Sequence, residues 1–245
     1  MAVKANHDIS SGLDTAFINS TINSNLTYRP EFVSNDYTQG KKVSVAIERE
    51  LRHCDAFYIS VAFITEGGLA PLKQVLAELR DKGIPGKILT TSYLTFTEPK
   101  ALKTLANLSN VEVRVYDSTD EGASGFHTKG YIFKEEEIYR FIVGSSNMTA
   151  SAFSVNKEWN TKLVSTSDGE LLKQMMTEFN ALWNSEHTLA VEDFIEDYEV
   201  RYKLIKEQKK NAAKEQMVDL QAYKLQPNKM QARFVSNFRK LLESN

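Results

Sequence analysis

The 245-residue sequence is poor in the residues that build disulfide frameworks and metal centres. It contains one cysteine, Cys54, and four histidines. A single cysteine forms neither an internal disulfide nor a cysteine-based zinc cluster, so the composition favours a reducing compartment. Cys54 lies beside an apolar segment, where we expect a buried and unreactive thiol.

Long apolar runs are missing as well. Residues 1–14 are polar and lack the apolar run of an export signal. No stretch reaches the ~18 consecutive apolar residues expected of a membrane-spanning helix. We therefore expect a cytoplasmic protein with no integral membrane role.

Positive charge is not in excess either. Thirty lysines and arginines stand against 32 acidic residues, which gives a net charge of −2 and an isoelectric point near 6.1. Proteins dedicated to nucleic acid usually carry a basic excess. Any polyanion that this chain binds must therefore be held by a local cationic groove.

The first half of the chain alternates between two kinds of pattern. β-Prone apolar segments occupy residues 56–63, 87–91 and 111–116. Segments with apolar residues at helical spacing precede, separate or follow them, at residues 43–51, 69–79 and 99–108. This rhythm predicts an α/β sheet with helices on its faces.

Further strands are predicted at residues 126–133, 139–143 and 159–165, with a short helix at 148–153 and a long amphipathic helix at 171–183. The composition then changes. Residues 191–216 are dense in charge, which is typical of a solvated helix or linker and less often of a nucleic-acid contact. We divide the chain into a lead-in (1–40), a main domain (41–187), a charged helical linker (188–224) and the start of another domain (225–245).

Four polar residues in the second half suggest phosphoryl chemistry. His127 and Lys129 are two positions apart on a predicted strand, so their side chains project to the same side. An imidazole can act as nucleophile or general acid, and a neighbouring ammonium can bind a phosphoryl oxygen. Asn147 offers a carboxamide to the same anion, and Glu158 can hold the tautomer of the imidazole.

Five more residues are assigned to substrate binding. Gly144, Ser145 and Ser146 form a turn at a strand end, where backbone N–H groups and hydroxyls can meet an anion, and Thr128 lies between the histidine and the lysine. Tyr93 lies in a hydroxyl-rich loop with Phe96, where the two rings can stack a base or, as the simpler alternative, cover the edge of the core.

Each of these residues has a plainer interpretation. A lone histidine is usually a hydrogen-bonded core residue, a lone lysine is usually on the surface, and residues 144–147 can be an ordinary turn that caps a helix at Asn147. The joint presence of His127, Lys129, Asn147 and Glu158 favours the site over the separate alternatives.

These residues resemble a known family. His127-x-Lys129, then Gly144-Ser-x-Asn147 and then Glu158 are similar to the motif of the phospholipase D superfamily, and most of all to its bacterial nucleases with a single motif. The resemblance covers about residues 40–185 at the level of the fold. The fuller motif has an aspartate five positions after the lysine, where this chain has Lys134, and this difference argues against a phospholipase more than against a nuclease.

The resemblance implies a mixed β-sheet with helices on both faces, followed by a C-terminal helical extension. It also implies that one motif supplies half of a site, so a homodimer would bring two copies face to face. One His127 would then attack phosphorus to form a phosphohistidine, while the His127 of the second copy protonates the leaving oxygen. Lys129 and Asn147 would stabilise the phosphoryl charge, and no metal or other cofactor is implied at this site.

A second resemblance lies at the C-terminus. Leu225-Gln-Pro-Asn-Lys-Met-Gln231 is similar to the segment that precedes the ATP-binding loop of superfamily 2 helicases. We therefore expect a nuclease domain attached to a helicase, or part of a restriction-type system, with ATP and Mg²⁺ needed only by the helicase part. The expected substrate is nucleic acid, DNA in particular. A non-catalytic module that binds nucleic acid and dimerises is the alternative, and a phospholipase is a third and weaker one.

Overall fold

The structure, a computed structural model, describes residues 30–222 and residue 233. It divides the chain into two compact units, residues Met1–Val200 and Arg201–Asn245. Apart from residue 233, the predicted start of a further domain at 225–245 lies outside the described residues. So does most of the predicted lead-in.

The first unit is built on one eight-stranded sheet. Its strands are β1 (Glu31–Val33), β2 (Ala56–Val61), β3 (Gly86–Thr91), β4 (Val111–Tyr116), β5 (Lys129–Glu135), β6 (Ile138–Gly144), β7 (Asn160–Thr166) and β8 (Thr188–Ala190). The spatial order is β1-β7-β6-β5-β2-β3-β4-β8. Strands β2, β3 and β4 are parallel, and all other neighbours are antiparallel. The sheet is therefore mixed.

Helices cover both faces of this sheet. Those within this unit are α1 (Val43–Leu51), α2 (Glu66–Leu69), α3 (Lys73–Asp81), α4 (Pro99–Ala106), α5 (Ala150–Ser154) and α6 (Glu170–Trp183), and α7 (Val191–Ala222) begins in it. The alternation of side chains along β5 separates the two layers. Tyr131 packs against Phe153 of α5, whereas its neighbour Ile132 packs with Leu172 of α6. The predicted α/β fold, with helices on both faces of a mixed sheet, is confirmed.

The sheet extends beyond the segment that the sequence assigned to the main domain. Strand β1 falls within the predicted lead-in and pairs with β7. Strand β8 falls within the predicted linker and pairs with β4, and Phe194 and Tyr198 at the start of α7 are buried. Both outer strands have only three residues, which is too short for an alternating pattern to be recognised in the sequence.

The strand that carries the lysine begins later than the sequence predicts. Strand β5 starts at Lys129, so His127 and Thr128 precede it. The neighbouring strand β2 ends at Val61, which is opposite Lys129. One further bond, from Ala62 N to Thr128 O (3.0 Å), extends the pairing. Beyond it the chain turns towards residues 147 and 148, so residues 126 and 127 lose their strand partner.

A buried charged cluster ties the β1 edge of the sheet to α1. Lys162 on β7 is 6% exposed, and its Nζ lies 2.6 Å from an oxygen of Glu31 and 3.2 Å from one of Glu50. Burial alone raises the pKa of the Glu31 carboxyl, but Lys162 and Arg49 outweigh burial and lower that pKa. No local pattern in the sequence predicts this cluster, because its members are far apart along the chain.

Cys54 is buried, as predicted. Burial, together with the nearby carboxylates of Asp55, Glu135 and Glu50, raises the pKa of its thiol to about 12. A thiol with this pKa is almost entirely protonated at neutral pH and is therefore a poor nucleophile. Among the described residues, no helix is both long and apolar enough to span a membrane.

Candidate active site

His127 and Lys129 are in direct contact. Lys129 Nζ lies 2.9 Å from His127 Nδ1, 3.3 Å from Nε2 and 3.0 Å from the main-chain oxygen of His127. The histidine is exposed, and Lys129 is half-buried. The two predicted groups therefore form one unit, in which the ammonium lies against the ring and donates to the main-chain oxygen of His127, while a ring nitrogen can reach a bound molecule.

Burial lowers the pKa of Lys129, and the charge of Glu158 partly opposes this shift. A partly desolvated ammonium interacts more strongly with an anion, because fewer water molecules screen its charge. Glu158 itself is 8% exposed. The same carboxylate, together with complete burial, raises the pKa of Tyr131. Lys129 and Tyr131 alternate to the same face of β5, and the charge of Glu158 acts on both groups.

Glu158 is bound to Ser145 rather than to the imidazole of its own chain. The Ser145 hydroxyl donates to Glu158 Oε2 and accepts a bond from Trp159 N (3.1 Å). Ser145 N in turn donates to Trp159 O (3.1 Å). Among the described residues, Glu158 forms no hydrogen bond with His127, in contrast to the prediction. The carboxylate instead fixes the serine, which is exposed.

Asn147 is anchored through the oxygen of its side chain. Oδ1 accepts a bond from Phe63 N (3.2 Å), and Phe63 O accepts one from Met148 N (3.0 Å). The ring of Phe63 lies edge-on to His127, with 5.9 Å between the ring centroids. Because its oxygen is bonded to the main chain, the NH₂ group is the end of the carboxamide that can bind an anion.

Two of the residues predicted to bind substrate have structural positions instead. Ser146 is fully buried, and its hydroxyl accepts a bond from Asn160 Nδ2 (2.9 Å), so it holds the turn rather than a ligand. Gly144 allows two strands to approach closely: a Cβ there would lie 2.2 Å from Trp159 O and 2.6 Å from Asn160 Cα. The glycine is required by this approach and not by a positive φ.

Thr128 and Tyr93 form their hydrogen bonds outside the four-residue cluster, and Thr128 shares a cavity with Lys129. The hydroxyl of Thr128 is 2.6 Å from that of Ser60, and Thr128 lines a largely apolar cavity of about 390 Å³ beside α6. Tyr93 lies in a 3₁₀ turn (Tyr93–Thr95), where its N–H donates to Thr91 Oγ1. Its neighbour Phe96 is the ring that reaches the site.

Two aromatic rings flank the site, and one of them, Phe63, was not predicted from the sequence. Phe96 packs edge-on against Phe63, with 4.9 Å between the centroids. Both rings line a groove of about 630 Å³ together with Asn147 and Glu158. Phe96 was noted in the sequence, whereas Phe63 continues the apolar run of β2 and carries no signal that separates it from a core residue.

The four predicted residues are thus linked to one another directly or through one neighbour. Lys129 joins His127 by hydrogen bonds and Glu158 by charge, and Phe63 joins His127 to Asn147. This arrangement presents an imidazole, an ammonium, a hydroxyl and a carboxamide on the carboxyl side of β2 and β6. Such a set can supply a nucleophile and charge stabilisation to a phosphodiester. Within the part of the chain that the structure describes, no group of three or more His, Cys, Asp or Glu residues is arranged to hold a metal ion.

A family model described as "Cardiolipin synthase, PLD-like domain" matches residues 53–183, a segment that contains all four residues. The chain belongs to this phospholipase D-like family. No curated protein matched the sequence.

Solved structures of the family share the fold. The phospholipase D family member Nuc from Salmonella typhimurium aligns with a TM-score of 0.51 and 16% identity, over 66% of this chain and 98% of its own. NucT from Helicobacter pylori aligns with a TM-score of 0.51 and 15% identity, over 66% of this chain and 99% of its own. The chain therefore has the same fold as these two proteins, and the alignments cover nearly the whole of Nuc and of NucT.

Proposed function

We propose that this chain is a metal-independent nuclease that cleaves DNA at a site shared by two copies of the chain. The observation that carries the proposal is the contact of 2.9 Å between Lys129 Nζ and His127 Nδ1 on an exposed face, next to the Ser145–Glu158 pair and the NH₂ group of Asn147. The likeness to Nuc supports a phosphodiesterase fold and leaves the choice of substrate to experiment.

In the proposed reaction a ring nitrogen of one His127 attacks phosphorus, and the bond from phosphorus to the leaving oxygen breaks. The partner's His127 donates its proton to that oxygen. The same partner imidazole then takes a proton from water, and the resulting hydroxide attacks phosphorus and breaks the phosphorus–nitrogen bond. Lys129 and Asn147 stabilise the charge on the phosphoryl oxygens during both steps.

A second copy of the chain is proposed because the reaction needs a second imidazole. Among the described residues of one chain, His127 is the one imidazole at the cluster, whereas the two steps need a nucleophile and a separate proton donor. Within one chain Glu158 holds Ser145, so an orienting role towards an imidazole requires the His127 of the second copy. The exposure of His127 leaves it accessible to such a partner.

A helicase context is part of the same proposal. It rests on the resemblance of residues 225–231, which lie outside the described residues, to the lead-in of superfamily 2 helicases. In this context the helicase would deliver unwound strands to the nuclease site. ATP and Mg²⁺ would be needed for unwinding only.

The test is cleavage of end-labelled single- and double-stranded DNA and RNA in EDTA. We expect wild type to cleave DNA and His127→Ala to lose cleavage, whereas the control His53→Ala, which replaces another exposed histidine, keeps it. Quenched single turnovers should trap a labelled strand on the protein, joined through a phosphorus–nitrogen bond that is acid-labile and alkali-stable. Binding without cleavage by wild type would favour the non-catalytic module, and release of headgroups from lipid vesicles would favour a phospholipase.

Mixing variants tests the shared site. After subunit exchange, an equimolar mixture of wild type and His127→Ala should retain about half of the activity expected for independent sites, because only the dimers with two histidines are active. Activity proportional to the wild-type chains would contradict a site composed of two copies.

A further inference from the structure

We propose that a nucleic-acid strand leaves the active site across an exposed aromatic pair, Trp159 and Phe32, and enters a cationic cleft that contains Lys41 and Lys42. This strand path rests on the proposed function and adds a binding surface to it. None of its four residues belongs to the motif that identifies the family.

The path begins at the site itself. Trp159 follows Glu158 directly, and its main chain makes two hydrogen bonds of 3.1 Å with Ser145. Its side chain is nevertheless 75% exposed. A large aromatic side chain that is exposed next to an active site has no role in the core, and it offers its face to a flat ligand.

The aromatic surface continues away from the site. The ring of Phe32 on β1 lies 5.9 Å from that of Trp159, at an interplanar angle of 83°, and Phe32 is 62% exposed. In an edge-to-face pair, this contact leaves at least one broad ring face uncovered. The two rings are therefore suited to successive bases of a single strand, which stack on aromatic faces whatever their sequence.

The far end of the path is cationic. Phe32 lines a cleft of about 450 Å³ together with Lys41, Lys42 and Arg49. Glu31 is the one carboxylate among the residues that line it, so three cations and one anion give the lining a net charge of +2. Arg49 is paired with Glu31, whereas Lys41 and Lys42 are exposed and form no ion pair with another described residue.

The positive charge of the cleft favours a nucleic-acid strand as its ligand. The whole chain has a net charge of −2, so a polyanion is attracted only where cations are concentrated and not opposed. Aromatic rings followed by lysines match the alternation of bases and phosphates in a single strand. An apolar segment of a partner protein would match the rings but would leave the two ammonium groups without a counter-charge.

The experiment measures the binding of a fluorescein-labelled 20-nucleotide DNA single strand by anisotropy in EDTA. All variants are made in the full chain with His127→Ala, so the strand is not cleaved. We expect Lys41→Gln/Lys42→Gln to raise Kd about tenfold at low salt. The slope of log K against log salt concentration should become less steep by about 1.4, because two phosphate contacts are lost. The matched control, Lys82→Gln/Lys100→Gln, removes two exposed lysines elsewhere and should leave Kd and slope as they were.

The aromatic pair is tested by a conservative exchange. Trp159→Ala should raise Kd at least about fivefold, whereas Trp159→Phe, which keeps an aromatic face, should stay within about twofold. Equal losses in both variants would show that Trp159 acts by packing rather than by stacking. Gel filtration of the same variants tests the other occupant: a change from dimer to monomer would show that the surface binds a second copy.

A small substrate separates this inference from the proposed function. Bis(4-nitrophenyl) phosphate is too short to reach from the site to the cleft, so its hydrolysis with His127 intact reports the site alone. If wild type hydrolyses it but Lys41→Gln/Lys42→Gln binds the strand as tightly as the control, the path is refuted and the nuclease stands. If wild type hydrolyses nothing, the nuclease is refuted, and the anisotropy still decides the path.

Discussion

Replacement of Gly144 by alanine is expected to damage the site without touching any proposed reacting group. The added Cβ would lie 2.2 Å from Trp159 O and 2.6 Å from both Cα and Oδ1 of Asn160. Ordinary contacts begin near 3.4 Å, so the end of β6 and the start of β7 must separate by about 1 Å. Ser145 and Glu158, which lie on either side of this contact, would move with them.

The magnitude follows from two costs. Overpacking of this kind costs about 1–3 kcal/mol, and loss of the bond from Ser145 N to Trp159 O adds about 1 kcal/mol. We therefore expect Gly144→Ala to lower the free energy of unfolding by about 2–4 kcal/mol. A displacement of about 1 Å at a catalytic group lowers the rate by roughly a hundredfold.

Gly130→Ala is the matched control. Gly130 lies on the adjacent strand opposite Val143, and a Cβ there would meet only Met175 Cε, at 4.0 Å. Urea titrations followed by tryptophan fluorescence give the stabilities, and DNA cleavage in EDTA gives the rates. If Gly144→Ala has the same cleavage rate and the same free energy of unfolding as Gly130→Ala, then β6 and β7 accommodate the added methyl group without cost, and the reasoning is refuted.

Two further predictions concern lysines. Lys129→Met should reduce cleavage by two to three orders of magnitude yet raise the urea midpoint, because burial lowers the pKa of this lysine and so penalises the charged form in the folded state. Wild type loses this penalty as the pH rises through the pKa of Lys129 in the folded state. The difference in urea midpoint between Lys129→Met and wild type should therefore shrink in alkali. The control Lys82→Met should change neither cleavage nor the midpoint. Lys162→Met should lower the free energy of unfolding by about 3–5 kcal/mol, since it leaves two carboxylates without their shared cation. The pKa of Glu31 is lowered in the folded protein, so the stability that this carboxylate contributes is present above its unfolded-state pKa and is lost as the pH falls through its folded-state pKa. The difference in stability between wild type and Lys162→Met should therefore become smaller in acid. A difference that does not change with pH would contradict the role of the ion pairs.

The sequence predicted the sheet and its helices well because their patterns are local. Residues 43–51 and 111–116 show helical and alternating periods, and both became elements with those bounds. The outer strands β1 and β8 were not predicted, since three residues give no period. Their positions depend on pairing with β7 and β4, which are distant along the chain.

Within the candidate site, contacts between residues close in the sequence were predicted better than contacts between different strands. His127 and Lys129 are two residues apart, so their proximity follows from local geometry. The partner of Glu158 depends on how β6 and β7 align across the sheet, and no local pattern distinguishes Ser145 from His127 as that partner. The same applies to Ser146, which lies beside Ser145 in the sequence yet is buried against Asn160.

The bond from Phe63 N to Asn147 Oδ1 also provides a built-in reporter of motion. A main-chain amide exchanges its hydrogen with solvent only when its bond opens. Exchange at Phe63 therefore measures how often the Asn147 side chain leaves its position, whereas exchange at Met148 and Thr65, whose amides bond to the main chain, measures opening of the whole loop. Comparison of these rates in deuterated solvent separates side-chain motion from loop motion in the unliganded protein.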